Sequence, residues 1–369
     1  MATTSEISEA EEYVRADAFD DLISIEETLA AKALAVRGGM EEEVEEERPR
    51  AAWEVDLSRL QIRRLVATGV HGALFQADYS GQDVAVKLLD WGPDGYSTPE
   101  LVARMRASVR ALAAVWHGFD HPNVARLVGA SMGTAGLELP RKDGAASPPP
   151  PDRACVVVVE FLSGGTLKEH LIAHANSKLR YGEVVRLALC MARGLGFLHA
   201  NKIAHRDVST DNMLLDGRRN VKIADFGVAR VEARDPGDMT GTTGSPAYMA
   251  PEVLEGKPYD HKCDVYSFGI CLWEIYACEM PFSYDLSFAE LTSAIVHQGL
   301  RPVIPPYCPI GLARIMQRCW DSDPAARPEM AEVVSLLEAL NPNSAGGMLP
   351  VRTKKNAGCF CFFGRRRRS

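Results

Sequence analysis

The sequence has no C-x-x-C pair, and its nine cysteines are odd in number and scattered. This argues against a disulfide framework or a zinc site and for a reducing compartment. Long apolar runs are missing too. A stretch such as Ala154–Val159 is far short of the roughly 20 residues that span a bilayer. The N-terminus, MATTSEISEAEE, is acidic and has no apolar stretch, so no secretory signal is expected. Basic charge is not in excess: 41 Lys+Arg face 49 Asp+Glu, a net of −8. A general nucleic-acid binder is therefore not expected. The G-x-x-x-x-G-K-[ST] pattern is also absent, which argues against a P-loop enzyme.

What is present supports a sizeable core. The chain has 369 residues, 46% hydrophobic and 24% charged, close to globular averages. That length predicts two packed units or one bilobed unit with tails. Charge is uneven along the chain. Residues 1–52 hold 15 acids and 5 bases, whereas residues 352–369 hold 7 bases and no acid. Such end blocks mark solvated tails rather than fold.

Residues 1–52, with one weak helical pattern and the run EEEVEEE, read as an acidic, partly helical or disordered leader. From Trp53 the pattern changes. Alternating apolar residues and Gly punctuation run from Leu60 to Leu89, with QDVAVKLLD as a strand. Residues 98–117 read as a helix and CVVVV (155–159) as a buried strand. The Gly-, Pro- and Ser-rich stretch 131–153 reads as a loop insertion, solvated or a docking element. Beyond SGG (163–165), helical spacing recurs at 166–174, 182–199, 264–278, 287–298, 310–320 and 328–340. Strands first and helices afterwards predict an α+β fold in two lobes. The N-lobe spans about 60–159 with one helix and the C-lobe 163–340. A flexible tail covers 341–369.

Two groups of residues carry chemistry. In ATGVHGAL (67–74), Gly69 and Gly72 keep two glycines of a G-x-G-x-x-G-x-V loop, with Ala67 at the first position. Glycines let backbone N–H groups approach phosphates closely, although the same residues suit a plain hairpin. Thirteen residues after Leu74, Lys87 closes Val-Ala-Val-Lys. A lysine inside an apolar strand either meets an anion or snorkels from an edge strand. The second group is ordered and specific. His205-Arg206-Asp207 precedes Asn212, then come Asp225-Phe226-Gly227 and Ala250-Pro251-Glu252. Asn212 and Asp225 are oxygen ligands suited to Mg²⁺ held largely by phosphates and water. Asp207 can accept a hydroxyl proton at that site.

With these motifs the stretch from about Trp53 to Leu340 resembles a eukaryotic protein kinase. More narrowly, it looks like the plant Raf-like, MAP-kinase-kinase-kinase-related Ser/Thr kinases. WEVDLSRLQI, VWHGFDHPNVARLVGASMG, KIADFGVARVEA, CDVYSFGICLWEIY and RCWDSDPAARPEM carry that likeness. The resemblance implies transfer of the ATP γ-phosphoryl group to protein hydroxyls, with Mg²⁺. Protein substrates and upstream or downstream kinases are the partners, in the cytoplasm. It makes Val159 the residue at the back of the adenine pocket. Glu160, Phe161 and Leu162 become the hinge, and Leu74, Ala85 and Leu214 sandwich the base. Glu252 and Arg327 become an ion pair, and Asp264 the anchor of the catalytic loop. Arg206 marks the type in which an arginine clamps a phosphorylated activation segment. Thr240, Thr242, Thr243 and Ser245 are the candidate phosphorylation sites. Of these, Thr243 is expected nearest the substrate.

Two positions depart from that pattern. The helix acid that should pair with Lys87 falls at Leu112, and residues 101–119 contain no acid at all. Glu100 lies twelve residues away, about 18 Å along a helix. Lys87 is then expected to lean toward Asp225 or the phosphates. In HRDVSTDN, Ser209 stands where Ser/Thr kinases carry a lysine. Losing one such charge costs about 10²–10³ in rate in comparable cases. The alternative to an active kinase is a pseudokinase that binds ATP as a signalling scaffold.

In the tail, Cys359 and Cys361 lie among three phenylalanines and precede Arg365–Arg368. This fits S-acylation beside a polybasic patch at the inner plasma membrane. The other readings are a solvated basic tail or a nuclear-import signal.

Overall fold

A glycine that cannot be replaced marks the first turn of the sheet. At Gly72, φ is +143°, and a Cβ there would meet the Leu88 carbonyl oxygen at 1.8 Å. Strand β1 (Leu60–Gly69) pairs with β2 (Gly72–Tyr79), which pairs with β3 (Gln82–Asp90). The β2–β3 hairpin turns on Ser80 and Gly81, both at positive φ. That is the two-residue turn whose twist matches the flanking strands. A computed structural model describes residues 51–69, 72–90, 99–139, 154–224, 230–231, 245–282 and 286–340. The acidic leader up to residue 50 and the tail from 341, with its Cys359, Cys361 and Arg365–Arg368, lie outside them.

Helix α1 (Pro99–Trp116), β4 (Leu127–Ser131) and β5 (Ala154–Glu160) complete the first part. The sheet order is β1-β2-β3-β5-β4, antiparallel throughout. Strand β3 is thus the central strand, so the edge-strand option for Lys87 falls away. Side chains alternate along it. Val84, Val86 and Leu88 are buried with Phe75, Ala77, Val156 and Val158 in the upper core, while Ala85 and Lys87 point to the opposite face.

In the stretch expected as a loop from 131 to 153, the described residues 132–139 form no helix or strand. Residue 131 still belongs to β4, and Leu137 is buried in the upper core. A turn through Gly136, with Leu137 N–H on the Thr134 carbonyl, folds the leucine back onto the sheet. Burying that side chain stabilises the turn by about 2 kcal/mol. Residues 140–153 lie outside the described part.

The second part is helical. Helices α2 (Leu167–Ala173) and α3 (Tyr181–Ala200) precede two short hairpin-like pairings. These join β6 (Ile203–Ala204) to β9 (Arg230–Val231), and β7 (Met213–Leu215) to β8 (Val221–Ile223). Then follow α4 (Pro251–Leu254), α5 (Lys262–Ala277), α6 (Phe288–His297), α7 (Ile310–Cys319) and α8 (Met330–Glu338). Helix α5 is buried all round from Cys263 to Ala277, the signature of a helix central to a core. Helix α3 packs on α5 and α8, and α7 on α5. The strand-first, helix-second order expected from the sequence is what the chain adopts.

Candidate active site

The sheet brings one row of candidate residues to a single face. Lys87 pairs with Leu74 on one side and Val157 on the other, and Leu74 also pairs with Ala67. One step along, Ala85 pairs with Val159. Cross-strand partners share a face, so Ala67, Leu74, Ala85, Lys87 and Val159 all front the space between the two parts. From the far side, Leu214 on β7 bridges to Thr166, just past the hinge. Leu162, Val159 and Leu214 are half-buried against the main core.

Backbone polarity at 160–162 fits a purine. Glu160 N–H donates to the Arg126 carbonyl (3.0 Å) and Phe161 N–H to the Asp83 carbonyl (3.4 Å). Among the described residues, Leu162 N–H is the amide of this stretch without an acceptor in the chain, so it is the donor left for a ligand. The Glu160 carboxylate is spent inside the protein. It accepts from Lys222 Nζ at 2.6 Å and from Arg126 N–H at 2.8 Å.

The loop between β6 and β7 carries the acid–base candidate. Asn212 Nδ2 donates to the Asp207 side chain at 2.7 Å and to its carbonyl at 2.8 Å. That use of the amide nitrogen leaves the amide oxygen of Asn212 to meet a cation. The other expected metal ligand, Asp225, lies outside the described residues. Ser245 reaches Asp207 Oδ1 through its backbone N–H (3.0 Å) and its hydroxyl (3.3 Å). Ser245, expected as a phosphorylation site, thus sits on the Asp207 carboxylate, where a phosphate would face a like charge. Thr240, Thr242 and Thr243 lie outside the described residues.

The loop hangs from α5. Both oxygens of Asp264 are used: Oδ2 accepts from His205 N–H (2.8 Å) and His199 Nε2 (2.9 Å), and Oδ1 from Arg206 N–H (2.8 Å). Burial raises the Asp264 carboxyl, but the His199 hydrogen bond and charge outweigh it, so the group stays below its ordinary range. His205 Nε2 donates to the Ala224 carbonyl at 3.0 Å, tying the loop to the strand that leads to Asp225. Arg206, at φ +71°, is buried with its guanidinium over the Tyr259 ring.

The expected ion pair is present. Arg327 binds Glu252 through two bonds of 2.6 and 2.8 Å, with side chains 0% and 8% exposed. Arg327 also donates to the carbonyls of Asp321 and Lys262.

The two departures from the pattern occupy different surroundings. Leu112 is half-buried against the main core, so that position faces inward and is filled by an apolar side chain. Ser209 is fully buried, and its hydroxyl has no partner among the described residues. Leaving it so costs about 1–3 kcal/mol.

Sequence reasoning missed a buried cluster under the loop. Glu274 Oε2 accepts from Tyr248 Oη (2.7 Å) and Thr210 Oγ1 (3.0 Å). The cue was an acid in the otherwise apolar SFGICLWEIYA, since a buried charge demands partners. Burial pushes the Glu274 carboxyl from 4.5 up to about 7, against the two hydroxyl bonds. A folded value above the unfolded one means the folded chain binds more protons between about pH 4.5 and 7. Stability from this group is therefore fullest at low pH and falls as pH rises through that window. Glu274→Gln, which keeps an acceptor and removes the charge, is expected to match the wild type near pH 4.5. By pH 8 it should exceed it by up to about 3 kcal/mol. Thermal melts of both proteins across that range check this, and a pH-independent difference would refute it.

Comparison with known proteins yields concordant matches. A family model described as protein tyrosine and serine/threonine kinase matches residues 60–337. The chain is 36% identical to the serine/threonine-protein kinase STY17 of Arabidopsis thaliana over 289 residues, 78% of this chain and 46% of that protein. It is 34% identical to STY46 of the same plant, covering 45% of that protein. To the serine/threonine/tyrosine-protein kinase HT1, also from Arabidopsis thaliana, it is 31% identical, covering 68%. The chain spans about half the length of the first two of these relatives.

Proposed function

We propose, because the chain belongs to the protein tyrosine and serine/threonine kinase family, that it moves the γ-phosphoryl group of ATP onto serine and threonine hydroxyls of other proteins. The observation that carries this is the Asp207 carboxylate. Asn212 orients it on one oxygen and Ser245 on the other, on a loop that Asp264 holds from below. A carboxylate so placed accepts the proton of an attacking hydroxyl, while positioning and charge neutralisation supply the rest. The residues fit the nucleotide: the unspent Leu162 N–H and the apolar Leu74, Ala85, Val159 and Leu214 suit adenine. Lys87 suits phosphate. Asn212 with Asp225 would hold Mg²⁺, which neutralises phosphate charge when bound. Protein substrates and signalling kinases follow as partners from the family. A reducing cytoplasm is supported by the seven described cysteines, all free thiols.

The test is transfer of labelled phosphate from ATP·Mg to the protein itself or to a generic basic protein. Label that depends on Asp207 supports the reading. Nucleotide binding without such label overturns it in favour of a scaffold.

The two departures make the rate adjustable. Leu112 is half-buried against the main core, and Leu112→Glu restores an acid at the position where the family pattern carries one. Turnover is expected to rise by about tenfold or more, the scale of one restored electrostatic contact. Steady-state rates with unchanged melting check this; no gain would show that Leu112 is not the vacant position.

A further inference from the structure

The rim of the catalytic loop carries an ion pair that the reaction above does not use. Lys168, on α2, donates its backbone N–H to the Thr210 carbonyl at 3.1 Å. Its Nζ donates to Asp211 Oδ2 at 2.7 Å. Asp211 is next in the chain to Asn212, whose amide touches Asp207. Beneath the pair everything is closed: Ser209 and Thr210 are fully buried, and Glu274 is 2% exposed. The pair itself is open, with side chains 24% and 48% exposed. The facing wall is the 245–248 turn, where Ser245 lies on Asp207 and Tyr248 on Glu274.

A peptide whose hydroxyl reaches Asp207 must lie between this wall and the rim. Its neighbouring residues step about 3.3 Å each, so those one or two places away pass the Lys168–Asp211 pair. Two carboxylates in such a place would attract arginine or lysine. Here neither offers an unpaired charge: Lys168 neutralises the exposed Asp211, and two hydroxyls cover the buried Glu274.

We propose that Lys168 sets the charge preference of the peptide groove, closing Asp211 to basic residues beside the acceptor and selecting substrates with acidic or neutral neighbours. The inference rests on the kinase reading for the identity of the acceptor. The device is exclusion as much as attraction, since a basic neighbour must either displace Lys168 or sit beside it.

The test needs binding, not turnover. Two labelled short peptides, one with glutamates and one with arginines flanking a serine, are titrated by fluorescence anisotropy into the full chain. The proteins are the wild type, Lys168→Met and Lys168→Glu, with melting temperatures confirming the fold. The wild type is expected to favour the glutamate peptide. Lys168→Glu should shift the affinity ratio by roughly tenfold toward arginine, with Lys168→Met between, the scale of reversing one half-exposed charge. A ratio unchanged within about twofold in both variants overturns the proposal. Phosphate transfer measured in parallel separates the two readings. A shifted ratio without transfer supports the groove assignment and sinks the kinase reading. Transfer with an unshifted ratio does the reverse.

Discussion

On the proposed kinase activity, Asp207→Asn is expected to lower phosphate transfer by about three orders of magnitude while the protein stays folded. The expected size is that of a positioned general base, about 10²–10⁴ in rate. The geometry explains why the amide is a poor substitute. Asp207 accepts on both oxygens, from Asn212 on Oδ2 and from Ser245 on Oδ1. An asparagine offers one acceptor oxygen, so its NH₂ group must face one of those donors. A bond is lost on one side, which costs about 1 kcal/mol of stability, and no basic oxygen remains for the hydroxyl proton. Labelled-phosphate incorporation, run beside a thermal melt, checks both halves. Equal labelling by the variant would remove Asp207 from the chemistry.

Arg327→Met is the largest expected stability effect, about 3–5 kcal/mol. Glu252 would then keep a charge at 8% exposure with both guanidinium bonds gone. The Asp321 and Lys262 carbonyls would lose their donors as well. Arg327→Lys should recover only part, because an ammonium cannot make the two parallel bonds. Removing both charges, in Glu252→Leu/Arg327→Met, should recover most of the loss, since the penalty comes from the unpaired carboxylate rather than from the missing attraction. Urea titrations of the wild type, Arg327→Met, Glu252→Leu and the double variant give the coupling, and Arg327→Lys is read beside them. A single replacement within about 1 kcal/mol of the wild type would show that the pair is not buried in solution.

The gap between legible and illegible features follows from range along the chain. Strand β3 was readable because alternation over 82–90 is a property of neighbouring residues, and Lys87 falls on the face opposite Val84 and Val86 by parity alone. The Asp207 and Asn212 pairing in one motif was readable because only five residues separate the two, whereas their contact is a product of the folded loop. Leu137 was not: in a stretch of glycine and proline no period shows that one leucine returns to the core.

By itself the sequence determined the order of the motifs, the strand-to-helix architecture, and the two absences at Leu112 and Ser209. It could say only that an acid and a lysine were missing. What fills those places, an inward apolar contact and a fully buried hydroxyl, is a property of packing. The tertiary structure alone decided which distant groups meet. Ser245 reaches Asp207 across 38 residues, Thr210 reaches Glu274 across 64, and Lys168 reaches Asp211 across 43. None of these pairs has a local signature, because a side chain's pattern records its own element's exposed and buried faces. Its partner across the fold is selected only when the helices close around α5 and bring each polar side chain to the groups able to satisfy it.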